Sequence, residues 1–515
     1  MNLVEKPWIP VVKTDGEKTE ASLRDIFCSG GGYIDLAVRP HERVAIMRLL
    51  ICIAQAALDG PETLDQWEKV PEILPRKAEE YLTEWRESFD IFHPVKPFLQ
   101  IAGLEQFDTE KKTSLPTLCG LDFAMATGDK STLFDHQGSN EERRIIAWKL
   151  AVAFLTFQNF SLCGTGSNAR WGGVKFTHTG NLDAPCAGGS MYHTFLCGRH
   201  LLDSIALNLL TKKTVAMHYG VGGWGMPIWE NFPTSQDDHN AIANATGTYL
   251  GRLLPLTRYV KLFDDKGFVW CKGIPYGVYP DGWKCPEPSA TATLANGKPV
   301  LLKASHSRSI WRQLAALVVK RKADEVGGAL ALENAPHDED YHIHVCAMLR
   351  TPGKQVVEDF QESIFHVSAG MNTDIGRAAY EDEVAVAEAT ARRLGRAVER
   401  WRQELDADWK QKLKAAGKDK NALKERLRSI ATNHFWTAVE KGLPLLLAYT
   451  ASLGENDNAE RKKLWRHAVH RAARNAYDLA CGRESSRQLR AFAMGLRILN
   501  GEELQQNKAK EGIGR

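Results

Sequence analysis

Residues 161–173 read Ser-Leu-Cys-Gly-Thr-Gly-Ser-Asn-Ala-Arg-Trp-Gly-Gly. Gly164, Gly166, Gly172 and Gly173 free the backbone for left-handed angles and for close approach to another surface. Ser167, Asn168 and Arg170 supply donors and one fixed charge. Glycines interleaved with donors suit contact with a polyanion. The competing reading is a plain helix-to-strand connection, and this stretch alone leaves both open.

Two other constellations invite chemistry. His337-Asp338-Glu339-Asp340 with His342 and His344 contains the residue types of a metal-dependent nuclease. Alternation places the two imidazoles of His342 and His344 on one strand face, but no third ligand has convincing spacing. The expectation is an acidic loop entering a strand, with no metal and no cofactor. Gly220-Val-Gly222-Gly-Trp-Gly225 matches a dinucleotide fingerprint by letter. No strand pattern precedes it, and Met226-Pro227 stands where the helix has to begin, so it is rejected. There is no Walker A sequence. The ten cysteines form no Cys-x-x-Cys pair, which argues against a disulfide framework or a cysteine-rich zinc site.

The elements that position these residues follow from periodicity. Pro7 to Val12 reads as a short strand with edge character. Val44, Met47, Leu50, Ile51 and Ala54 predict a helix over 41–59, ended by Gly60-Pro61. A second helix is expected from Pro75 to about Phe89. Residues 103–139 are polar and irregular, a length that is usually functional or disordered. Within them Leu133-Phe134-Asp135-His136-Gln137 carries a lone aromatic. Asn140 then caps a helix that delivers the chain into the glycine loop. Leu201 to Leu210 reads as a buried helix, 255–304 as β-rich, and Ser305 to Lys322 as a helix. Tyr341, Ile343 and Val345 alternate as in a half-buried strand. Thr351-Pro352-Gly353-Lys354-Gln355 then predicts a turn, with Lys354 and Gln355 at or beside the tip of a β-hairpin. From about Ala378 the pattern is helical, with segments at 384–401, 421–440, 458–481 and 484–499. The fold class is therefore α+β: a mixed domain over 1–371 carrying the loops and hairpin, and a four-helix bundle over 372–515.

Composition sets the partners. The 515 residues are 43% hydrophobic and 25% charged, as in an ordinary globular protein. Net charge is +3, but from Ala391 onward 27 Lys and Arg face 15 Asp and Glu, giving +12 and leaving −9 for the rest. A basic last third on an acidic body points to a polyanion or an acidic partner, or to a solvated helical surface. The longest apolar run, Val44 to Leu58, is interrupted by Arg48 and Gln55, so no membrane span is expected. The opening residues lack a secretory pattern, and the expected compartment is the cytoplasm.

Taken in order, these motifs resemble one family, CasA, the large subunit of the type I-E CRISPR surveillance complex Cascade. The likeness rests on Met1-Asn2-Leu3…Trp8-Ile9-Pro10-Val11, the helix and glycine loop, Gly188-Gly189…Thr194-Phe195…Asn208-Leu209-Leu210-Thr211, and a hairpin followed by a helical bundle. The resemblance implies a non-enzymatic subunit that reads a protospacer-adjacent motif in duplex DNA. It also implies that the subunit starts the unwinding that leads to an R-loop, and supports recruitment of a helicase-nuclease. The implied partners are other Cascade subunits, the CRISPR guide RNA, the target duplex and its displaced strand.

By the same resemblance, Gly164, Thr165, Gly166, Ser167 and Asn168 approach the minor groove of the motif. Gln355 is the wedge beneath it, beside Lys354, where the family often has Asn. Lys272, which precedes Tyr279-Pro280, matches the lysine finger, with Lys284 as the alternative. Phe134, Asp135 and His136 match the loop that touches the guide RNA and keep only its aromatic. Arg392, Arg393, Arg396 and Arg400 form the basic bundle surface. Some members have a cysteine cluster in the β-rich region; here only Cys271 and Cys285 are present, so no zinc is expected there. The competing functions are a purely architectural ribonucleoprotein subunit and, less favoured, a metal-dependent nuclease.

Overall fold

The computed structural model describes residues 1–28, 31–107, 115–125, 145–177, 180–263, 267–277, 287–322, 326–351 and 356–501. Helix and sheet are mixed up to Val367, and the described chain beyond it is helical. Two compact units result, Met1–Pro336 with Tyr341–His366, and His337–Asp340 with Val367–Arg515.

The first unit is built on the helix Pro40–Leu58, buried on every side from Pro40 to Gln55. The two polar residues that interrupt its apolar run are structural. Arg48 reaches Glu287 at 2.8 Å and donates to the carbonyls of Leu253 and Arg252. Arg252 holds the other oxygen of Glu287 at 2.5 Å, so two guanidiniums share one buried carboxylate and direct further donors at main-chain carbonyls. The Gln55 amide exchanges hydrogen bonds with the backbone of Leu210. Interior charges need this kind of complete pairing.

Three expectations change. The second helix begins at Val70 and ends at Glu84, with Pro75 inside it. The Pro75 nitrogen would have met the carbonyl of Pro71, still in the first turns, where a missing donor costs least. The stretch expected as a helix from Ser305 is a 3₁₀ turn, Ile310–Gln313, followed by the short helix Leu314–Leu317. The strand Ile9–Lys13 is not an edge: it lies between Lys18–Ala21 and Tyr33–Leu36. Its pairing with the latter begins at Val11, so Pro10 leaves no ladder bond unmade there.

The second unit packs four long helices, Asp374–Leu405, Lys420–Lys441, Asn458–Ala480 and Ser486–Leu499, and adds two short ones, Trp409–Ala415 and Leu443–Ala451. Thr373 caps the first helix by accepting from the Gly376 amide. Helices 374–405 and 486–499 touch closely at Gly495. A Cβ there would lie 2.6 Å from the Ala397 carbonyl and 2.0 Å from the Tyr477 hydroxyl. Glu383, fully buried, receives Arg466 at 2.6 Å and Lys462 at 3.3 Å. Among the described residues no helix is long and apolar enough to cross a membrane.

Candidate nucleic-acid interface

The glycine loop leaves the helix Ala147–Phe160 and is more ordered than an open loop. Gly164–Thr165 pairs with Gly180–Asn181, and Ala169–Trp171 with Val174–Phe176. The second pairing is a two-residue hairpin. Its central residues, Gly172 and Gly173, have φ of 56° and 83°, the left-handed pair such a turn requires. This glycine turn is exposed, and so are the paired Arg170 and Lys175 beside it. Arg170 also holds Glu105 at 2.7 Å.

Gly166, Ser167 and Asn168 lie deeper. The Ser167 amide donates to the Trp270 carbonyl at 2.8 Å. A Cβ on Gly166 would sit 2.8 Å from that same carbonyl and 3.1 Å from Cys271 Cα. The surface that Gly166 approaches is thus the chain's own strand Gly267–Lys272. Asn168, expected as an outward donor, is buried, and its carbonyl accepts from the Phe107 amide. A side chain this buried does not reach a groove from this conformation.

Lys272, the finger candidate, ends the strand that the loop leans on, two residues beyond Trp270, and is exposed. The structure therefore brings the loop and Lys272 together. Lys284, the wedge residues Lys354 and Gln355, and the guide-contact residues Phe134, Asp135 and His136 lie outside the described residues. In the helical unit Arg392 and Arg396 are exposed one turn apart. Arg393 and Arg400 are half-buried, with Arg400 paired to Glu404 at 2.7 Å.

Three positioning residues escaped the sequence reading. Arg258, 1% exposed, donates to the carbonyls of Leu162 and Leu182, which bracket the loop at both ends. Burial pulls its pKa down to about 10, so it stays charged at neutral pH. Gln158 clamps the same strand by accepting from the Arg258 amide and donating to its carbonyl. Asp183 accepts from the Cys163 amide at 2.9 Å with one oxygen and holds Arg350 at 2.5 Å with the other. Arg350 ends the first arm of the hairpin Tyr341–Arg350 and Val357–Val367, and Lys354 and Gln355 fall between the two arms in the sequence. Asp183 thus ties the foot of the glycine loop to the tip end of the hairpin's first arm. A long-range partner of this kind leaves no local sequence signal. The rejected fingerprint at Gly220 follows a helix, Lys212–Tyr219, where a dinucleotide site needs a strand.

The family described as CRISPR-associated protein Cse1 matches residues 2–476. The CRISPR-associated protein CasA/Cse1 of Thermus thermophilus is 28% identical, over 96% of this chain and 95% of that protein. The fold is similar to the crystal structure of Thermus thermophilus CasA (TM-score 0.72, 22% identity, covering 97% of this chain and 98% of that one). It is also similar to Thermobifida fusca Cse1 (TM-score 0.73, 20% identity, 97% and 98%). A chain of a CRISPR RNA-guided surveillance complex has the same fold (TM-score 0.68, 18% identity, 97% and 99%). With the match running through both the glycine loop and the hairpin, the chain belongs to the Cse1 family of CRISPR-associated proteins.

Proposed function

We propose that this protein is the non-catalytic subunit of an RNA-guided CRISPR surveillance complex that reads a short motif flanking the target in duplex DNA and starts duplex opening there. The observation that carries this reading is the Asp183 junction: one carboxylate joins the glycine loop to the hairpin that bears Gln355, with Lys272 on the neighbouring strand. A motif reader needs its groove-contacting loop and its wedge fixed relative to each other. Readout through a minor groove is degenerate, so several related motifs are tolerated. A wedge at Gln355 bears an unstacking cost of a few kcal/mol per step, which contacts to the opened strands offset. Base pairing with the guide RNA reads the remaining sequence. Arg392 and Arg396 supply phosphate contacts for the displaced strand, other Cascade subunits complete the assembly, and the R-loop then recruits a helicase-nuclease.

The test is duplex binding by the reconstituted complex, with and without this subunit, on guide-matched targets whose flanking trinucleotide is randomised or scrambled. Flank-dependent binding that requires the subunit, and that Gln355→Ala and Lys272→Ala abolish, is the expected result. Binding indifferent to the flank and to both substitutions leaves an architectural role. Gly166 substitutions are unsuited to this test, because any side chain there meets the Trp270 carbonyl.

A further inference from the structure

One cluster of potential ligands belongs to none of the interface described above. Alternation puts His342, His344 and Cys346 on one face of the strand Tyr341–Arg350, and the second arm of the hairpin brings Glu362 to them. The donor atoms of His344, Cys346 and Glu362 all lie within 4.8 Å of one another. His344 Nε2 is 3.2 Å from Glu362 Oε2. His344 and Cys346 are buried, and Glu362 is nearly half open to solvent.

We infer that His344, Cys346 and Glu362 bind one zinc ion, with the fourth position left to water. Imidazole, thiolate and carboxylate together are a borderline donor set, suited to zinc and poorly suited to magnesium or calcium. With zinc–ligand bonds of about 2.0–2.3 Å, the edges of a tetrahedral site are about 3.3–3.8 Å. The cluster has to close by about 1 Å to reach those edges, and the solvent-facing Glu362 side chain is the part free to move. Charge also fits. Arg43 lies beside the cluster, held by Asp35 at 2.5 Å. A divalent ion and Arg43 together balance Glu362, Asp35 and the Cys346 thiolate. Burial pushes the Cys346 thiol well above its ordinary pKa, with Arg43 working against that shift, and a bound metal takes the proton's place.

The sequence hid this site because its carboxylate is 18 residues from His344, across the hairpin. A metal joining the two arms would also pin their register, and with it the residues between them. That consequence rests on the function proposed above, whereas the metal site does not.

The test uses the full chain stripped with EDTA and then dialysed against Zn²⁺, with bound metal counted by mass spectrometry. One zinc per chain is expected, lost in Glu362→Gln and in His344→Asn. The double variant His342→Ala/His366→Ala removes the neighbouring imidazole pair, 3.4 Å apart, and should keep the zinc. Loading with Co²⁺ should give a thiolate-to-cobalt charge-transfer band that Cys346→Ser removes. If Cys346→Ser fails to fold, the band in the unmodified chain and its loss in Glu362→Gln decide the matter. No bound zinc, zinc that survives Glu362→Gln, zinc that leaves with His342 and His366, or zinc without the cobalt band each overturns the site.

Discussion

Arg48, Arg252 and Arg258 in the first unit are at most 4% exposed and direct their donors at a buried carboxylate and at main-chain carbonyls. Arg392 and Arg396 in the helical unit face solvent. The same residue type thus fixes loops in one unit and offers charge in the other. Where the helical unit buries a charge, as at Glu383 and Glu399, the cations reach in from the surface. Net charge along a sequence therefore misstates what each unit presents. Before Ala391, among the described residues, the buried Arg43, Arg48, Arg252 and Arg258 stand against the buried Glu42, Glu287 and Glu383, so the surface of that part is only slightly more acidic than its −9 implies.

The sharpest way to break this comparison is to remove the carboxylate beneath the interior arginines. Glu287→Ala strands Arg48 and Arg252 in the core, an expected loss of about 3–5 kcal/mol. The more open counterpart in the helical unit, Glu404→Ala beside the half-buried Arg400, should cost less, about 1 kcal/mol. Native-state hydrogen exchange of the helices Pro40–Leu58 and Asp374–Leu405 reads each loss in its own unit. Equal losses would mean that the distinction between interior and surface arginines has no energetic content.

Acid should separate the interior of the first unit in the same way. His193 is fully buried between Ser289 Oγ and the Cys186 carbonyl, and burial lowers its pKa to about 4. Unfolded, it protonates near pH 6.5. Below that the unfolded chain binds the extra proton, so stability is full above about pH 6.5 and falls until about pH 4, by ~3 kcal/mol. His41, also buried and also lowered, adds to the same slope. Thermal unfolding followed from pH 7 to pH 4.5 should show the fall, and His193→Gln should flatten it.

A smaller effect tests the loop itself. Arg258→Met removes the donor from the buried carbonyl of Leu162, at about 1–3 kcal/mol, and from that of the exposed Leu182, where water can replace it. Amide exchange should rise across 161–183, and flank discrimination by the assembled complex should weaken with it. Unchanged exchange there would show that strand pairing alone holds the loop.

What is legible in the sequence follows the range of the forces involved. The helix at Pro40–Leu58, the alternation at Tyr341–Arg350 and the long C-terminal helices announce themselves through periodicity, because burying one face is a local demand. The glycine-rich stretch was visible, but its inner half was not recognisable as packed against Trp270, since a close approach leaves a glycine and no partner in the sequence. Arg258, Asp183 and Glu362 act on residues far along the chain, so no spacing rule reaches them. Arg48 and Gln55 were visible only as flaws in an apolar run, although they hold that run in place.

The smallest stability effect is expected at Arg392 and Arg396, and it completes the comparison. Both are exposed, so replacing them with alanine should leave folding within ~0.5 kcal/mol. Their contribution is to phosphate, where each contact releases condensed counterions. The logarithm of affinity should therefore fall less steeply with the logarithm of salt, by a slope of about 1 per lost contact. The loss should be uniform across flanking motifs, because a phosphate carries no sequence information. Lys272→Ala should act in the opposite sense, changing motif preference more than the salt slope. Titrating salt for both variants in the assembled complex distinguishes positioning charge from reading charge. If the double arginine variant changed preference among flanks while Lys272→Ala changed only the slope, the two regions would have to exchange roles.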